Sequence, residues 1–83
     1  MRKMNIKNML AKKYDTLENM VHYVYEKDGL VIAVAIWKKA KDEMNGYISA
    51  LEDAGLIETI TAKRTRDDFD KMLTDIIKKE EKK

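Results

Sequence analysis

Ala50-Leu51-Glu52-Asp53-Ala54-Gly55-Leu56-Ile57 is the stretch whose reading decides the fold. Upstream of it, Asp42 is a residue type that accepts from the free N–H groups of a helix starting at Glu43, and Met44, Tyr47, Ile48 and Leu51 recur at spacings of three and four. One face of that helix is therefore apolar. The opposite face carries Glu43, Asn45, Gly46, Ser49 and Ala50, short enough to let another rigid object come close. Gly55 ends the helix, because without a Cβ it takes the left-handed conformation, and Leu56 is expected to fold back onto the last turn. Residues 57–62 alternate apolar and polar, as a half-buried strand does.

The flanking segments read mostly as helices. Residues 5–14 put Ile6, Met9 and Leu10 on one side of a short helix. Asp15 followed by Glu18 has the spacing of a capping box, and Leu17, Met20, Val21, Val24 and Tyr25 trace a helical face up to Gly29. Thr65 is positioned to cap a final helix striped by Phe69, Met72, Leu73, Ile76 and Ile77, with Asp67, Asp68 and Asp70 near the positive end of its dipole. Leu30-Val31-Ile32-Ala33-Val34-Ala35-Ile36-Trp37 is rich in β-branched residues, and periodicity leaves two readings open. In one, residues 30–32 are a brief strand, residues 33–40 a support helix, and Lys41 the turn. In the other, residues 21–25 and 30–37 pair as a hairpin around Lys27-Asp28-Gly29 in a small α/β sandwich.

Composition narrows the function classes. The chain has 83 residues, is 45% hydrophobic, and reads as one domain with a modest core. It has no cysteine and one histidine, so disulfides, thiolate metal sites and most zinc constellations are excluded. No Ser-His-Asp set and no glycine-rich phosphate loop can be assembled, so no catalytic residue, cofactor or metal is expected and the chain is not read as an enzyme. The longest apolar run falls far short of the roughly 18 residues of a membrane span, and no apolar core follows the basic residues 1–13 as in a signal peptide. A cytoplasmic location is expected, with no membrane partner and no evident small-molecule ligand. The net charge is only +2, but cations cluster: Arg2, Lys3, Lys7, Lys12 and Lys13; then Lys38, Lys39 and Lys41; then Lys63, Arg64 and Arg66.

With these residues in view, residues 17–62 resemble the winged helix-turn-helix domains of small MarR-, PadR- and ArsR-like transcriptional regulators. The phrase at residues 50–57 carries the likeness, standing where that family has a reading helix leading into the wing. Asp42 and Glu43 depart from the Ser or Thr that the family often has there, and a wing at residues 62–65 is very short. The resemblance implies a mainly α fold with a small β wing: a basic extension over residues 1–14, a helix-turn-helix core and strand over 15–62, and an extra C-terminal amphipathic helix over 65–83. It also implies sequence-specific double-stranded DNA binding and transcription regulation. Asn45, Ser49, Gly46 and Glu43 would then meet base edges, Asn45 pairing with adenine, while Lys38, Lys39, Lys41, Lys63, Arg64 and Arg66 hold phosphates. A homodimer is expected through Phe69, Met72, Leu73, Ile76 and Ile77, with Ile6 and Leu10. The competing expectation is a small α/β protein-binding adaptor or inhibitor that does not bind DNA.

Overall fold

Proline is absent and glycine occurs three times, so few positions in this chain can interrupt a helix. A computed structural model describes residues 6–82 and contains three long helices: α1 (Ile6–Asp28), α2 (Leu30–Asp53) and α3 (Thr59–Glu81). Both interruptions fall at glycines with positive φ, Gly29 at 90° and Gly55 at 72°. Contacts between helices give the topology. Lys13 on α1 pairs with Glu43 on α2, and Lys41 and Ser49 on α2 meet Asp70 and Arg66 on α3, so successive helices run antiparallel. Tyr14 meets Asp68 and Tyr25 meets Glu80, so α1 and α3 are parallel. The result is an up-down-up bundle measuring 47 × 26 × 18 Å.

Gly29 alone connects α1 to α2. Its N–H donates to the Tyr25 carbonyl (3.0 Å) as the last bond of α1, and its own carbonyl accepts from Ala33 N–H (3.1 Å) as the first of α2. Its φ of 90° and ψ of −178° lie in a region that side-chain-bearing residues essentially never occupy. The stop at the other end of α2 is a Schellman motif, in which Gly55 N–H reaches Glu52 O and Leu56 N–H reaches Leu51 O, each at 2.9 Å. Gly55 thus ends the helix as expected from the sequence, although Leu56 stays half exposed.

No strand occurs among the described residues, which overturns the β wing and with it the winged helix-turn-helix resemblance and the fold class. Residues 57–62 are not a strand. The chain needs only residues 54–58 to reverse, and α3 starts at Thr59, with Ala62 N–H bonded to Glu58 O (3.0 Å) and Ala62 wholly buried. Neither reading of residues 30–37 holds, because the run is the first two turns of α2. There is no turn at Lys41 and no helix start at Asp42, since α2 continues through both for 24 residues. Asn5 lies outside the described residues, and residues 6–14 and 15–28 form no separate helices, as α1 passes through Asp15 unbroken. At Thr65 the hydroxyl donates to the Thr61 carbonyl (2.8 Å) inside the helix instead of capping it. Asp67, Asp68 and Asp70 are therefore mid-helix and far from the dipole end. Local capping signals lose wherever an exposed polar residue fits a helix that packing has already specified.

The core is a single layer stack of one stripe from each helix: Leu10, Leu17, Val21 and Tyr25; Ala33, Trp37, Ala40, Met44, Ile48 and Leu51; Ala62, Phe69, Met72 and Ile76. Buried alanines at 33, 40 and 62 let neighbouring helices approach closely. Trp37 lies near-parallel to Phe69 (centroids 5.9 Å), and Tyr14 meets the same ring edge-on (5.7 Å). Among the described residues no helix is long and apolar enough to cross a membrane. Because a Cβ at Gly29 would meet nothing within 4 Å, its constraint is torsional and not steric crowding. Gly29→Ala is expected to cost about 1–3 kcal/mol in urea unfolding while leaving the helical circular dichroism of the folded state unchanged.

Candidate functional site

Four ion pairs lie within the bundle among the described residues, and three of them use cations placed by the sequence at a DNA backbone. Of the six cations expected to hold phosphates, Lys41 pairs with Asp70 (3.0 Å) and lies over the Trp37 ring (5.0 Å), Lys63 pairs with Asp67 (3.6 Å), and Arg66 pairs with Glu52 (3.8 Å). Lys38, Lys39 and Arg64 are exposed and have no ion-pair partner among the described residues. The four residues expected to read bases all lie on the C-terminal half of α2, on no separate helix. Asn45 is half-buried, Ser49 Oγ accepts from Arg66 Nη2 (2.8 Å), and Glu43 is ion-paired with Lys13. Gly46 is exposed, and a Cβ there would meet nothing within 4 Å.

The apolar stripe expected at a dimer interface is mostly consumed inside one chain. Phe69, Met72, Ile76 and Leu10 are buried in the bundle core, Ile6 and Leu73 are partly buried against it, and only Ile77 is exposed. The stripe on α3 packs against α1 and α2 of the same chain, with Phe69 meeting Tyr14 and Trp37.

Exposed apolar side chains occur on the ends of α1 and α2 that flank Gly29, where the sequence pattern points to no function, and also at Leu56 and Ile60 beside the α2–α3 turn. Val31 is 81% exposed, Tyr23 64%, Ile32 46% and Met20 41%. The physical origin lies in residues 30–37. All eight are apolar, yet a helix in a three-helix bundle buries only one face, and here only Ala33 and Trp37 are fully buried. Val31, Ile32 and Ala35 are left facing water. Lys27 stands over the Tyr23 ring (5.7 Å) at the margin of this patch. A run that is apolar on every side is the available signal, and its ambiguity between strand and helix conceals it.

A shallow groove of about 280 Å³ between α1 and α3 is lined by Leu10, Ala11, Tyr14, Thr61, Thr65 and Asp68. Tyr14 Oη donates to the Asp68 carbonyl (3.0 Å), and the phenol is pushed up to about 12, first by burial and then by the negative charges of Glu18, Asp68, Asp15 and Asp75. No cluster of three or more His, Cys, Asp or Glu side chains suited to a metal ion occurs among the described residues. Comparison with protein-family models, with curated proteins and with solved structures finds no match.

Two measurements check this geometry. Since the folded Tyr14 phenol holds its proton more tightly than an unfolded tyrosine (about 12 against 10.0), its contribution to stability is complete below pH 10 and is lost as pH rises through 12. Absorbance titration at alkaline pH should therefore show a late-ionising tyrosine component that is missing from Tyr14→Phe. Gly46→Ala should raise stability by about 0.5–1 kcal/mol in urea unfolding, because alanine relieves the cost of a mid-helix glycine and clashes with nothing.

Proposed function

We propose that this chain is a small helical protein-binding module that docks through the apolar surface around the Gly29 corner. The supporting observation is the concentration of Val31, Tyr23, Ile32 and Met20 on the adjoining ends of α1 and α2. Exposed aromatic and aliphatic groups carried on the adjoining ends of two rigid helices are suited to anchoring a partner, since little backbone freedom remains to be lost on binding. The polar rim that such an anchor needs is present in Lys27, Glu26 and Asp28, all exposed.

Duplex DNA is the poorer fit. A helix entering a groove along the exposed side of α2 would bring Asp42 and Glu43 toward phosphates, and Lys41, Lys63 and Arg66 would first have to leave their own acids. Any residual affinity is expected to be weak, indifferent to sequence and of the non-specific kind, with Kd about 10⁻⁴–10⁻⁶ M at physiological salt.

The test compares the wild type with a Val31→Asp/Tyr23→Ser double variant, whose changes lie on exposed positions and place a carboxylate in the first turn of α2, where the dipole favours it. Each is immobilised as bait in lysate of the source cells and the retained proteins are quantified. A discrete protein held about tenfold more strongly by the wild type is expected. Identical retention by both baits, together with sequence-selective nanomolar binding to duplex DNA, contradicts the proposal.

A further inference from the structure

The outward side of α2 has a pattern that the bundle itself does not use. Val31, Ala35, Lys39, Asp42, Gly46 and Ala50 are all exposed and, at 100° per residue, share one stripe about 100° wide. Lys39 and Asp42 have no ion-pair partner among the described residues. Gly46 sits in the interior of a 24-residue helix, where glycine weakens the helix, yet no neighbouring group of this chain comes within 4 Å of where its Cβ would be. Intrachain packing therefore supplies no reason for the glycine.

We infer that the partner of this face is a second copy of the chain, its α2 lying antiparallel across the first with the two-fold axis between Ala40 and Lys41. That axis is selected by charge: it sets Lys39 opposite Asp42 of the other copy, twice. The same register sets Ala35 against Gly46, two small residues that leave room for the opposing helix, and Val31 against Ala50, covering a side chain that is 81% exposed. An isologous contact of this kind needs a surface complementary to itself, and sliding the helices by a turn would juxtapose like charges or leave Gly46 facing a large residue. From Val31 to Ala50 the contact is about 28 Å long, and at a width of about 10 Å it covers roughly 300 Å² per partner. This is well under the ~800 Å² per partner of a tight complex, so the dimer assembles at tens to hundreds of micromolar and depends on its charge pairs. The inference rests on the protein-docking reading above and names the occupant for the α2 side of that surface.

Sedimentation equilibrium of the whole chain up to about 1 mM tests it. The wild type is expected to form dimers. Lys39→Glu and Asp42→Lys are each expected to weaken dimerisation more than about tenfold, because every reciprocal pair becomes a like-charge pair, and an equimolar mixture of the two should recover a heterodimer. Gly46→Leu should remain folded by circular dichroism and be monomeric. A wild type that stays monomeric throughout overturns the inference. So does a dimer that persists in Lys39→Glu, Asp42→Lys and Gly46→Leu. If that persistent dimer is lost only in Val31→Asp/Tyr23→Ser, the α2 register falls while the docking reading stands.

Discussion

The three aromatic rings of Tyr14, Trp37 and Phe69, one from each helix, are the contact on which the rest of the bundle depends. Phe69 is 1% exposed and receives Trp37 on its face and Tyr14 against its edge. The polar ends of both partners are satisfied by adjacent carbonyls of the same helix, since Trp37 Nε1–H donates to Phe69 O and Tyr14 Oη–H to Asp68 O, each at 3.0 Å. A helical carbonyl has a second lone pair, so these bonds add to the i to i+4 ladder instead of replacing it. Two helices are thereby locked to the same turn of the third. The register of the aliphatic layers on either side is set by this lock: Val21, Tyr25, Ala33 and Ile76 toward the corner, and Leu10, Met44, Ile48 and Ala62 toward the α2–α3 turn.

This cluster also accounts for the identity of the helix boundaries. Once Trp37 must face Phe69 and Met44 must face the core, both on one rigid rod, a break at Asp42 would rotate the two parts of the stripe out of phase. Asp42 and Asp15 remain exposed and polar on the outside of continuous helices, where an aspartate costs only a few tenths of a kcal/mol relative to alanine. Glycine torsions at Gly29 and Gly55 end α1 and α2. The corner at Gly29 uses a single residue, which leaves no linker between α1 and α2, and this is why the apolar start of α2 is held out at the surface instead of tucking beneath a loop.

Much of the helical content is legible from residue spacing, and so is the identity of most core positions. Leu17, Val21 and Tyr25, then Met44, Ile48 and Leu51, then Phe69, Met72 and Ile76 are each spaced to share an apolar face, and each is buried. Gly55 reads as a helix end and is one. The joins between segments are where spacing misleads. A phrase of leucine, acids, Ala-Gly-Leu reports a Schellman stop and carries no information on the next element, so a strand after residue 56 rests on resemblance and on six alternating residues alone. Thr59, Ile60 and Thr61 are β-branched, but Ala62 and Phe69 need a helix to reach the core, and tertiary burial overrides the local preference. The exposed face is harder still. Val31 and Ile32 are indistinguishable from core residues in sequence, because a run apolar on all sides does not say which of its faces a bundle will cover.

The continuity of α2 and its aromatic lock is tested most directly by solution NMR of the intact chain. Unbroken helical chemical shifts are expected from Leu30 through Asp53, with no departure at residues 41–43, together with helical shifts from Thr59 onward and nuclear Overhauser contacts from the Trp37 indole to the Phe69 ring. A non-helical interruption at residues 41–43, or strand shifts with cross-strand contacts over residues 57–62, would contradict a bundle of three unbroken rods.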